Sequence, residues 1–175
     1  MFVINLLRQS CLLTAFGIAL AIVNPALADE AGDCQARSGD FITGTVVSGP
    51  QFKRGEPRSG GGLTAELSHT HLRFTKDGDT SGATYDVAID NVYASGYDAA
   101  GERVPSPLDK FQVGDHIEMC GQGYPDGTGI HFVHPNCGDT PTPSEPDGWI
   151  KEIAQDGTVG PNIESNLEYC PLWRH

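Results

Sequence analysis

Leu67-Ser-His-Thr-His-Leu-Arg-Phe-Thr75, followed by Asp77-Gly-Asp79 and then Ala83-Thr-Tyr-Asp-Val-Ala-Ile-Asp90, is the stretch that decides the fold class. Side chains alternate across a β-strand, so Leu72 and Phe74 share one face while His69, His71 and Arg73 share the other. Tyr85, Val87 and Ile89 likewise oppose Asp86, Ala88 and Asp90. Two alternating runs joined by Asp-Gly-Asp predict a hairpin with one apolar and one polar face.

The same signals recur outward along the chain. Phe41–Ser48 predicts a first strand, Gly114–Gly121 a fourth and Ile130–His134 a fifth. Trp149–Ala154 predicts a sixth strand or a closing flap, and Leu108–Val113 a short helical turn. Residues 29–40 read as a polar leader pinned by Cys34. Residues 49–62, 91–107 and 136–147 read as long Gly/Pro-rich loops. Gly60-Gly61-Gly62 lacks the lysine and following helix of a phosphate-binding loop. No segment carries an amphipathic helix period. The expectation is an all-β chain, a small five- to six-stranded barrel.

Residues 1–28 read as an export signal: Arg8, an apolar run from Cys11 to Val23, and a small-x-small cleavage site at Ala26-Leu27-Ala28. The run is too short for a stable membrane span. The remaining residues, 29–175, suit a single β-barrel domain with a C-terminal extension from about 138. The full chain carries a net charge of −12. Without Arg8, ten basic residues stand against 23 acidic ones, or −13. Such a surface repels nucleic-acid backbones and anionic membranes.

Cys34, Cys120, Cys137 and Cys170 remain after processing, an even count that predicts two disulfides in a periplasmic or secreted protein. Three connectivities exist. Cys34–Cys120 with Cys137–Cys170 is favoured, because the second bridge would tie the C-terminal segment to the body. No C-x-x-C spacing supports a zinc site built on cysteine.

The polar faces define the candidate site. His69, His71 and Arg73 sit on one strand, Asp86 and Asp90 on the next, His116 and Glu118 on the fourth and His131 on the fifth. Aligned, they would form a histidine–carboxylate cluster suited to a divalent metal such as zinc or to acid–base work, with Arg73 taking an anion. His131 and His134 are three apart, so only a bend at Pro135 would bring both to one site. An H-x-H pair on an exposed strand is most often solvated decoration. His116 reads as structural and His175 as terminal. There is no G-x-S-x-G elbow.

Phe111-Gln-Val-Gly-Asp-His-Ile-Glu-Met-Cys-Gly121 resembles a strand common in OB-fold barrels, where a V-G-D turn leads into a central strand. A wider resemblance rests on His71-Leu72-Arg73-Phe74, Gly114-Asp115 through Gly121, Gly129-Ile130-His131-Phe132-Val133-His134 and Gly148-Trp149-Ile150. These are similar, in order and rough spacing over about residues 42–154, to a family of small exported bacterial proteins known only as a domain of unknown function. That family's pattern is H-x-R-F, G-D, H-W-T-H and G-W-I. Here Phe132-Val133 replaces W-T, and Val87-Ala88-Ile89-Asp90 lacks the family's histidine. The resemblance implies a shared barrel and a site at His71, Arg73, His131 and His134, and no activity.

Two functional readings follow. One is a binding module that takes a small molecule, a glycan or a protein through its loops. The other is a His-dependent hydrolase in which His71, His131 and His134, with His69 or Asp90, hold a metal and Arg73 orients an anionic substrate.

Overall fold

The computed structural model describes residues 25–173, so the expected apolar run Cys11–Val23 lies outside the described residues. The chain is mostly β. Its strands are β1 (Asp40–Lys53), β2 (Pro57–Gly60), β3 (Leu63–Glu66), β4 (His69–Lys76), β5 (Tyr85–Asp90), β6 (His116–Gly123), β7 (Gly129–His131) and β8 (Trp149–Ile153). Six form one sheet in the order β1-β4-β5-β7-β6-β8, and β1 pairs with β6 as well as with β4. β5 and β7 run parallel; the other pairs are antiparallel.

The β4–β5 hairpin forms as its alternation dictates, with His69 opposite Asp90, His71 opposite Ala88 and Arg73 opposite Asp86. Leu72, Phe74, Val87 and Ile89 bury completely with Ile117, Met119 and Ile130. Gly44 lies where β1 pairs with both β4 and β6. A Cβ there would strike the Thr75 carbonyl and the Phe74 ring. Only glycine lets one strand serve both neighbours at that point.

Three expectations are corrected. Residues 29–40 are not a leader: a helix, α1 (Pro25–Ala36), precedes β1, and it runs across the expected cleavage point after Ala28. Its alanine-rich stretch has high helix propensity, and the Cys34–Cys120 bridge holds it to β6. Residues 49–62 are not one long loop, because β1 continues to Lys53 through register shifts around Gly49-Pro50, and β2 and β3 form a small hairpin. The fifth strand stops at His131. Phe132 takes a left-handed φ of 54°, which breaks the ladder before His134.

Both disulfides join the favoured partners, Cys34–Cys120 and Cys137–Cys170. The first packs with Trp149 and Phe41 under α1. Glu118, expected on a polar face, is fully buried there and accepts a hydrogen bond from the Trp149 indole at 3.2 Å. The second lies in a satellite core with Tyr93, Val92 and Leu172, where the C-terminal segment returns to the body. Two disulfides fit an oxidising compartment outside the cytosol. Among the described residues no helix is long and apolar enough to cross a membrane.

Candidate functional site

β4, β5 and the segment after β7 carry two histidine–aspartate systems. In the first, His71 Nδ1 lies 2.9 Å from Asp86 Oδ2. The Tyr124 hydroxyl donates to the same oxygen at 3.2 Å. Burial pushes the Asp86 carboxyl up, but the bonds from His71 and Tyr124 and the field of Arg73 outweigh it and hold it below its ordinary range. Burial and Asp86 push the Tyr124 phenol up to about 12. With Nδ1 donating to an anion, His71 keeps its Nε2 lone pair, which has no hydrogen-bond partner among the described residues.

His71, Arg73 and Asp86 line a cleft of about 370 Å³ against Ser48, Gln51 and Lys53 of β1. The cross-strand register explains the gathering: Ser48 pairs with Arg73 and Gln51 with His71. Neither Lys53 nor Arg73 has an ion-pair partner among the described residues. In so acidic a chain, two free cations beside a histidine make a local site for negative charge.

In the second system Asp90 stands between two rings. His69 Nε2 lies 2.6 Å from Oδ1 and His134 Nε2 lies 2.9 Å from Oδ2. Burial pushes Asp90 up, yet the bonds from His134 and His69 hold it well below the usual carboxylate range. The Asp90 bond in turn raises His69. His134 Nδ1 is 2.9 Å from the Pro135 carbonyl oxygen. Both of its nitrogens thus face acceptors. It is 5% exposed and stacks on Tyr93 with centroids 4.1 Å apart.

The four residues singled out by sequence thus divide. His71 and Arg73 share the open cleft, and His134 belongs to the closed Asp90 system. His131 lies between them in β7, 5.2 Å from the Tyr124 ring, and burial lowers its imidazole below its ordinary value. His71, His131 and His134 are not gathered into one metal-ligand set. Among the described residues no group of three or more His, Cys, Asp or Glu is placed to hold an ion. The reason is local: Asp86 takes His71, and Asp90 takes both His69 and His134.

His69, which is not among the four family-motif residues, is a full partner of Asp90. Lys53 stood out in the sequence only as part of a short basic run with Arg54 and Arg58, interrupted by Glu56, and Tyr124 and Tyr93 carried no signal for this site. His116 pairs with Asp77 at 2.7 Å, apart from both systems.

No protein-family model matches the chain, and no curated protein or solved structure gives a significant match.

Proposed function

We propose that this protein is an exported binding module, built on an OB-like barrel, that takes a small anionic ligand in the cleft of Lys53, His71 and Arg73. The carrying observation is that cleft: about 370 Å³, two cations without ion-pair partners among the described residues, and an imidazole oriented by Asp86. Pairing in the succession β1-β4-β5-β7-β6 and back to β1 supports the barrel reading. The two disulfides support export. Cleavage after Ala28 leaves Asp29–Ala36 as a helical remnant held by Cys34. Kinship with the exported bacterial family belongs to the same proposal, and of its four motif residues His71 and Arg73 line the cleft.

Titration of the mature protein with inorganic phosphate and with sulfate, followed by NMR, tests the reading. Saturable shifts at His71 and Arg73, weakened about tenfold in Arg73→Ala, are expected. Equal affinity in Arg73→Ala, or no saturable shift with either anion, would overturn it.

One observation favours a second reading, a His-dependent hydrolase. With Asp86 on Nδ1, His71 Nε2 is free to take a proton from water as its oxygen attacks a bound ester, and to return it to the departing alkoxide. Turnover of p-nitrophenyl phosphate that disappears in His71→Gln supports it. The same background rate in both proteins sinks it.

A further inference from the structure

Away from the anion cleft, a second cavity of about 370 Å³ opens between three parts of the chain. β2 contributes Arg58, the loop after β7 contributes Phe132, Asp139 and Glu145, and the C-terminal turn contributes Trp173. The Cys137–Cys170 bridge and the Arg58 Nε–H, which donates to the Leu172 carbonyl at 3.1 Å, fasten these parts together.

The floor of the cavity is buried and polar. Tyr93 is 2% exposed, and among the described residues the hydrogen-bond partner of its hydroxyl is the Cys137 sulfur at 3.5 Å. A disulfide sulfur has no hydrogen to give, so the phenol donates weakly and its own lone pairs stay unfilled at the cavity wall. Phe132 is held beside it at φ 54°, a conformation bulky residues rarely take.

The charges of the wall select the ligand. Arg58, Asp139 and Glu145 face one cavity, yet none has an ion-pair partner among the described residues. None pairs with another, so an occupant meets both donors and acceptors. An organic cation is disfavoured, because Arg58 already lies over the Trp173 ring, 5.4 Å from its centroid, and Tyr93 is stacked between Trp173 and His134. An anion is disfavoured by Asp139 and Glu145.

We propose that this cavity binds a neutral sugar, a pyranose unit or disaccharide. Its hydroxyls donate to Asp139, Glu145 and the Tyr93 oxygen and accept from Arg58, and its C–H face lies against Phe132. The proposal stands whether or not the anion cleft binds its ligand, since the two sites share no lining residue.

The probes are glucose, galactose, N-acetylglucosamine and cellobiose, added to the full mature protein and followed by tryptophan fluorescence. The expected result is a saturable change with at least one of them. It vanishes in Trp173→Phe and weakens about tenfold in Asp139→Ala and in Glu145→Ala, exposed positions whose loss leaves the melting temperature unchanged. Neither tetramethylammonium nor phosphate displaces the sugar. No saturable response to any of the four at ~50 mM, or displacement by tetramethylammonium, overturns the proposal.

Discussion

His71–Asp86 and His69–Asp90–His134 are built from the same residue types, with all but His134 on β4 and β5, and they do opposite things. Asp86 takes one ring nitrogen and leaves the other at an open cleft lined by Lys53 and Arg73. Asp90 takes one nitrogen from each of two rings, and the Pro135 carbonyl takes the last one on His134. A histidine with a free nitrogen can bind or move a proton. One with both nitrogens engaged under a stacked tyrosine is a brace. The difference lies in access and partner count.

The comparison can be broken most forcefully at the Cys137–Cys170 bridge, which walls the closed system and the sugar cavity but not the anion cleft. Cys137→Ser with Cys170→Ser opens a loop spanned by 33 residues and should cost about 3–4 kcal/mol of stability in urea melts. Phosphate affinity under folded conditions should be unchanged.

A smaller effect separates the two aspartates. Asp90→Ala leaves the enclosed His134 ring without its anion and should cost about 2–3 kcal/mol; Asp86→Ala, beside an open cleft, about 1 kcal/mol or less. Equal losses in chemical denaturation would mean that the two systems do not differ in kind.

The pH profile sharpens the contrast further. Asp90 is depressed in the folded state, so its contribution is present above about pH 4 and fades as acid approaches the folded value. His69 is raised, so its contribution is full below about pH 6.5 and fades as pH rises through the folded value. Stability from this pair should peak between those limits, and Asp90→Asn should flatten both limbs of the melting profile.

Glu164 adds a signal of its own. It is fully buried, neither carboxyl oxygen has a partner among the described residues, and burial with the field of Asp90 pushes it well above its ordinary value. An acid raised in this way contributes most below its unfolded value of about 4.3, and the contribution is lost as pH rises through the folded one. Glu164→Gln should therefore raise the melting temperature at pH 8 more than at pH 5. An equal change at both would show that Glu164 is not held protonated.

The β4–β5 hairpin was readable from residues 67–90 because alternation and an Asp-Gly turn leave few other outcomes. The count of two disulfides followed from compartment, whereas the favoured pairing, one of three, was settled only by the fold. The gathering of His71 with Lys53 was not readable. It depends on β1 running past Ser48 through register shifts, in a stretch whose Gly, Pro and charge content read as loop. His134 was placed on the wrong kind of element, since the positive φ at Phe132 ends the strand early.

By itself, then, the sequence determined the mostly β character, the apolar faces and the residue types available on the polar ones, because a period of two depends only on local geometry. The tertiary structure alone decided which histidine met which aspartate, and which nitrogen was left over. Those outcomes depend on register, on one left-handed residue and on a C-terminal segment returning through a disulfide, all contacts between parts distant in the chain.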